Sequence, residues 1–264
     1  MPAPHKSKIG WTDYSGGDAN VVTGCTPVSD GCRNCYARRI YQRFGRNFSQ
    51  VQCHEDKLER LARRTFPGPY KRPGSCRPLV FVVDMGDLFH ELVRRDFIAS
   101  VSDVIRARED VDWLILTKRP ERMHDFCRWY LQHRAPSLGQ LWLGVSVEDQ
   151  HTAEERVAVL LETPGAVVRW ISVEPMLGPV DLTFPIDAMW DDGQEMLAIE
   201  SLDWVVCGGE SGPNRRPFDK RWALQLLDQS RAAGTPFFFK QGSHVHPGRD
   251  DELPGIGAVK EWPE

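Results

Sequence analysis

Three cysteines bunched near the N-terminus, Cys25, Cys32 and Cys35, are the residues of this 264-residue chain best placed by type and spacing to do chemistry. They read Cys-x6-Cys-x2-Cys within VTGCTPVSDGCRNCYARR, and Gly24, Pro27 and Gly31 let the intervening loop fold around a common centre. Three thiolates so close can converge on one metal. A structural zinc site takes four ligands, and Cys53, His54 or Cys76 is available as a fourth. Zinc motifs, however, usually come as two Cys-x2-Cys pairs, and one pair is present. A four-iron cluster held by three cysteines leaves one iron open to a substrate or cofactor, as a catalytic cluster requires. Seven cysteines, an odd number in a chain too long to need a disulfide scaffold, also favour metal binding or chemistry over cross-linking. Cys127 and Cys207 sit in apolar surroundings and read as small core residues.

The elements that must position these thiols show as short apolar runs alternating with amphipathic stretches. The expected strands are Leu79–Val83, Trp113–Leu116, Leu141–Val147, Val167–Val173, Trp204–Cys207 and Pro236–Phe239, with a shorter first strand near Asn20–Thr23. Most are continuously apolar, as suits strands covered on both faces. Helical patterns fall at Asn34–Phe44, Arg94–Arg108, Glu121–His133, Asp149–Leu161 and Asp219–Ala233, the last followed by Gly234 and Pro236. Strand and helix taking turns means βαβ units, a parallel sheet and right-handed crossovers. Six or seven such units suit a complete or partial β/α barrel. A single domain over residues 1–264 is expected, with an irregular insertion around 178–200 and a short C-terminal tail at 243–264.

Each strand run ends in polar residues: Asp84 and Asp87, Thr117-Lys118-Arg119, Ser146 and Glu148, Ser172 and Glu174, Gly208-Gly209-Glu210, and Lys240-Gln241. In α/β barrels the active site lies at these carboxyl ends, so convergent polar groups there are candidates for chemistry. Helix caps, loop solvation and structural ion pairs, such as Lys118 with Glu148, compete with that reading at every position. His90 and His124 read as surface or capping residues. His244 and His246 follow the last strand, where Pro247-Gly248 suggests a turn. No nucleophile-elbow serine, Walker loop or strand-following dinucleotide glycine motif is present.

The net charge of −4 argues against a protein held to nucleic acid by bulk positive charge, and 41% hydrophobic residues with 27% charged ones exclude extensive disorder. Between Arg33 and Arg77 the only acids are Glu55, Asp56 and Glu59 among a run of arginines and lysines. A solvated helix face is one reading of that bias. A local groove for a polyanion is the other, with Arg38, Arg39 and Arg43 on one helix. No apolar run is long enough for a membrane span, and MPAPHKSKIG has no signal-peptide core, so a cytoplasmic location is expected.

The segment GCTPVSDGCRNCYARR is similar to the cluster loop of radical S-adenosylmethionine (SAM) enzymes, whose commonest spacing is Cys-x3-Cys-x2-Cys. GCRNCYAR resembles the corresponding stretch of the spore photoproduct lyase branch, where an aromatic follows the last cysteine as Tyr36 does here. The whole chain also resembles a phage-associated three-cysteine-motif family. Shared stretches are WTD, DLFH (Asp87–His90), LTKRPERM (Leu116–Met123), GVSVED (Gly144–Asp149), SVEPMLG (Ser172–Gly178), CGGESG (Cys207–Gly212) and FFFKQ (Phe237–Gln241). The first cysteine spacing, six residues rather than three, departs from the superfamily pattern.

The resemblance implies a partial (βα)6 TIM-like barrel in which Cys25, Cys32 and Cys35 ligate a [4Fe–4S] cluster and SAM chelates the open iron. By chain order, Asp84, Gly86 and Asp87 would then hold the SAM amino group, with Tyr36 beside the cluster. Ser146 and Glu148 would hold its ribose, and Lys118, Glu174, Glu210 and Lys240 would face substrate or the SAM carboxylate. A modified thymidine or other nucleic-acid base is the implied substrate, a free nucleoside or peptide the alternative, and a flavodoxin- or ferredoxin-type protein the implied reductant. Two further readings remain: a zinc-binding, non-enzymatic nucleic-acid-binding protein, and a degenerate barrel serving as an interaction scaffold.

Overall fold

A computed structural model describes residues 4–186 and 196–264. In chain order its strands and helices are β1 (Tyr14–Ser15), β2 (Val22–Thr23), α1 (Tyr36–Arg43), β3 (Gln52–Cys53), α2 (Glu55–Ala62), β4 (Leu79–Phe81), α3 (Arg95–Ala107), β5 (Asp112–Thr117), α4 (Pro120–His133), β6 (Leu141–Val147), α5 (Gln150–Glu162), β7 (Val168–Val173), β8 (Pro185–Ile186), β9 (Met196–Leu197), β10 (Trp204–Gly208), α6 (Lys220–Ala233) and β11 (Phe237–Gln241). Seven strands form one parallel sheet in the order β1-β4-β5-β6-β7-β10-β11. Sheet neighbours follow chain order without reversal, so every crossover steps the same way. That is the winding of a partial (βα)6 barrel, and a doubly wound sheet would reverse at a switch point.

The first strand of the sheet is Tyr14–Ser15, paired in parallel with Val80 and Phe81. The expected strand near Asn20–Thr23 exists as β2, but it pairs antiparallel with β3 in a separate two-stranded ribbon. Two residues give no periodicity to read, which is why β1 was invisible in the sequence. Helix α2 was also missed. Part of the expected insertion, residues 187–195, lies outside the described residues. No helix among the described residues is long and apolar enough to cross a membrane.

The chain divides into two compact units, residues 1–144 with 163–167, and residues 145–162 with 168–264. In the first, the WTD stretch proves to be a strand starter. The Asp13 carboxylate accepts from the backbone N–H groups of Leu79 (2.8 Å) and Lys71 (2.6 Å), and the Thr12 hydroxyl donates to the Leu79 carbonyl at 2.8 Å. The Lys71 ammonium donates to the carbonyls of Ser7, Ile9 and Thr12. Asp112, buried at the start of β5, is paired with both Arg72 and Arg77, and Asp18 is paired with Arg60 and Arg64. These pairs divide the basic stretch. Its second half supplies counter-charges for buried carboxylates, which would otherwise be expelled to water.

In the second unit, Trp170, Trp204 and Phe238 pack in series, with ring centroids 5.5 and 6.3 Å apart. The C-terminal residues are more than a tail. Phe239 N–H donates to the Val259 carbonyl at 2.9 Å, Glu261 N–H donates to Phe237 at 3.1 Å, and the Trp204 indole N–H donates to the Glu261 carbonyl at 2.8 Å. This segment covers the β11 edge, whose exposed N–H and C=O groups would otherwise invite pairing with another chain.

Candidate functional site

The cysteine loop lies at the carboxyl ends of β4 and β5. Its base is laced to the turn after β4: Gly24 N–H donates to the Met85 carbonyl at 3.0 Å, and Met85 N–H donates to Asn20 Oδ1 at 3.1 Å. Gly24 bridges Gly86 in parallel, so this glycine admits the loop's own backbone. A Cβ on Gly86 would come 3.1 Å from the carbonyl oxygens of Gly24 and Val22. Just before this turn Val83 has φ +64°, a left-handed conformation that a β-branched residue adopts at a steric cost.

Cys25, Cys32 and Cys35 are free thiols of intermediate exposure. Cys32 closes a short helical turn from Asp30, and Cys35 occupies the N-cap of α1. Burial pushes the Cys25 thiol up to about 11, aided by the Asp87 carboxylate and opposed by Arg119. At Cys32 burial also works upward. Backbone hydrogen bonds at Val28 and Ser29 and the Lys118 ammonium outweigh it and hold that thiol below its ordinary value.

Arg119 organises the neighbourhood. Its side chain is nine-tenths buried, and its guanidinium donates to Cys25 Sγ (3.5 Å), Asp87 Oδ2 (3.0 Å), Glu91 Oε2 (3.1 Å), and the carbonyl and hydroxyl oxygens of Thr26 (3.3 and 3.2 Å). Asp87 also accepts from the Thr117 hydroxyl at 2.8 Å and the Phe89 N–H at 2.9 Å. His90 is fully buried, against the expectation of a surface or capping residue. Its Nδ1 accepts from Leu92 N–H at 3.2 Å, which leaves the neutral ring's proton on Nε2, 2.9 Å from the Thr26 hydroxyl. Arg122 donates to the His90 and Val93 carbonyls. The DLFH and LTKRPERM stretches thus form one polar lattice under the loop. Arg119 stands among the polar strand ends in Thr117-Lys118-Arg119, where the sequence gives it no role, and Pro120 at the helix start marks it as a loop-to-helix junction.

Asp84 has a raised pKa because of burial, against side-chain hydrogen bonds from Asn20 and Ser15, and its Oδ1 is buried without a hydrogen-bond partner. The Tyr36 hydroxyl donates to the Asp84 carbonyl. Helix α1 and its C-cap residue Phe44 then present Tyr36, Ile40 and Phe44, exposed at 44%, 39% and 68% and spaced four apart, so they form one ridge. Arg33, Arg43 and Arg46 are exposed around it, and no acid occurs from residue 31 to 54.

In the second unit the strand-end groups are paired. Arg156 of α5 donates to Glu148 Oε1 (3.2 Å) and to the Ser146 carbonyl (2.7 Å). Asp149 caps α5 by accepting from Thr152 N–H at 3.0 Å. Lys240 pairs with Glu174 at 2.5 Å. Glu210 accepts from the Arg216 backbone and guanidinium, closing its own loop. Gly209 has a structural reason: a Cβ there would meet Ser243 N at 2.9 Å.

As for the other ligand candidates, the His54 ring is bonded to the Thr23 hydroxyl at 2.8 Å, while Cys53 and Cys76 are exposed. No three His, Cys, Asp or Glu side chains among the described residues are gathered as a metal-holding group. The donor set nonetheless suits a thiolate-bound centre: three free thiols share one loop, and Cys25 and Cys32 are close enough to influence each other electrostatically.

These features define an α/β protein with a singly wound parallel sheet and a three-thiol loop fastened to its strand ends. The chain belongs to the family described as protein of unknown function (DUF5131), whose model matches residues 6–253. No curated protein matches it. Among solved structures it is similar to spore photoproduct lyase complexed with dinucleoside spore photoproduct, at 11% identity, covering 92% of this chain and 78% of that one with a TM-score of 0.47. A doubly substituted variant of that lyase with bound AdoMet and dinucleoside spore photoproduct has the same identity, coverage and TM-score of 0.47. A singly substituted variant with dinucleoside spore photoproduct, again at 11% identity and covering 92% and 78%, has a TM-score of 0.49.

Proposed function

We propose that this protein is a radical SAM enzyme in which Cys25, Cys32 and Cys35 hold a [4Fe–4S] cluster, acting on a base in nucleic acid. The observation that carries the reading is the placement of three free thiols on one loop fastened to the carboxyl ends of β4 and β5. Parallel α/β sheets assemble their chemistry at those ends. The cluster and SAM together supply removal of a hydrogen atom from an unactivated C–H bond, which acid–base catalysis does not achieve. The chain's own residues do the holding and orienting. Gly86 and Gly24 bring two backbones close enough to fix the loop, Lys118 and Arg119 place positive charge beside its sulfurs, and Asp84, Asp87, Ser146 and Glu148 are the proposed hydrogen-bonding groups for SAM. Lys118, Glu174, Glu210 and Lys240 are the groups proposed to face substrate or the SAM carboxylate.

The nucleic-acid part of the reading rests on α1. An apolar ridge with two aromatic rings, Tyr36 and Phe44, on either side of Ile40, starting one residue after Cys35 and accompanied by exposed arginines, combines the stacking surface and positive charge that single-stranded nucleic acid binds. A thymidine modified or rearranged at a carbon side chain, in phage DNA, is the substrate proposed, and a cytoplasmic flavodoxin- or ferredoxin-type protein the reductant.

Anaerobic purification and reconstitution with iron and sulfide test the cofactor. Four irons per chain, a brown colour and dithionite-dependent cleavage of SAM are expected, all lost in Cys32→Ala. A colourless protein holding one zinc would overturn the reading.

A further inference from the structure

We propose that Arg119 is a positioning residue that clasps the Cys25 end of the loop and sets the charge at the Cys25 sulfur. This rests on the cluster reading above. The five N–H groups of a guanidinium form a rigid fork, and at Arg119 five contacts are present: Cys25 Sγ, Asp87, Glu91 and two oxygens of Thr26. The fork is held from behind, because Asp87 is fixed by the Thr117 hydroxyl and the Phe89 N–H. It is also held from the side, because the His90 ring meets the same Thr26 hydroxyl that Arg119 contacts. The proton order is consistent throughout: the Thr26 oxygen accepts from Arg119 and His90 and donates to Glu91 Oε1 at 3.4 Å.

The three cysteines are therefore unequal. Cys25 is gripped by a buried cation, whereas Cys32 and Cys35 belong to a short helical turn and the start of α1. A cationic hydrogen bond to a ligating sulfur favours the reduced, more negative state of a cluster and so raises its potential. The same fork limits the motion of Gly24–Thr26 whether or not metal is bound.

The test compares the wild type with Arg119→Lys and with Arg119→Met, the latter also in an Asp87→Asn background so that no buried carboxylate is left unpaired. The midpoint potential of the reconstituted cluster is read by redox titration followed by electron paramagnetic resonance. Amide exchange over residues 24–26 is read on the metal-free proteins. The expected results are a lower potential in Arg119→Met/Asp87→Asn than in Asp87→Asn, return toward the wild-type potential in Arg119→Lys, and about tenfold faster exchange when the fork is lost. Equal potentials at equal iron content would overturn the charge-setting role, and unchanged exchange would overturn the clasp. If the wild type takes up no iron, the cluster reading fails while the exchange measurement still decides the clasp.

Discussion

The Lys240 ammonium lies 2.5 Å from Glu174 Oε1, joining the carboxyl ends of β11 and β7 across Gly208 of β10. A Cβ on Gly208 would come 3.4 Å from Lys240 Cβ and 3.6 Å from Glu174 Cδ, so the glycine leaves the pair its room. Both side chains are only a fifth exposed. Removing one partner leaves a largely desolvated charge, and Lys240→Met or Glu174→Gln should each cost about 1–3 kcal/mol. A double-mutant cycle followed by denaturant unfolding should show the double variant less destabilised than the sum of the singles. Strict additivity would mean that the two groups do not interact.

Cys32 is partly exposed. Cys32→Ala should therefore leave the metal-free protein within about 1 kcal/mol of wild-type stability, while iron uptake is lost. Thermal unfolding and iron analysis of the same preparation check both halves. A collapse in stability would make Cys32 a structural residue.

Gly24 has φ +90°, and a Cβ there would come 2.2 Å from the Gln50 carbonyl oxygen and 3.0 Å from that of Phe48. Both neighbours are backbone and cannot swing aside. Gly24→Ala should cost more than about 2 kcal/mol and should shift backbone resonances over the loop and residues 48–50. A variant with the wild-type melting temperature would show that the loop follows another path.

His90 has a pKa below the ordinary histidine value, because burial and then the Arg119 charge disfavour its protonated form. The unfolded chain therefore takes up the proton more readily, so the contribution is intact above the unfolded value of about 6.5 and is lost as pH falls below it. Melting temperatures between pH 7.5 and 5.0 should fall less steeply for His90→Asn than for the wild type. Parallel curves would remove His90 from the account. His54, also lowered by burial, is common to both proteins and does not affect the comparison.

Arg43 and Arg46 flank the α1 ridge without lying in the loop lattice. If the ridge carries nucleic acid, each change to Ala should weaken binding of a single-stranded oligonucleotide and reduce the salt slope by about one. Phe44→Ala should weaken binding at constant slope through lost stacking, by about 1–3 kcal/mol. Fluorescence anisotropy across a salt series separates the two effects. Affinity that is insensitive to all three changes would move the contact elsewhere.

The alternation of Leu79–Val83, Trp113–Leu116, Leu141–Val147, Val167–Val173, Trp204–Cys207 and Pro236–Phe239 with helical periods was enough to determine a parallel α/β fold. Strands buried on both faces must be continuously apolar, and helical crossovers must bury one stripe. The cysteine spacing likewise marked the loop, because chemistry needing three sulfurs near one point restricts their separation in sequence. Tertiary structure alone decided the partners. Strand β1 is two residues long, too short for a period, and is defined only by its pairing with β4. Asp87, Glu148, Glu174 and Glu210 were legible as carboxylates at strand ends. Their pairing with Arg119, Arg156, Lys240 and Arg216 depends on which long side chain reaches them once the backbone is folded. Arg119 itself lies ninety-four residues from Cys25 along the chain, and no local pattern encodes a contact at that distance. Burial of His90 was hidden for the same reason: a lone histidine looks alike in any sequence, and its tautomer and its partner are set by the groups the fold brings to its two nitrogens.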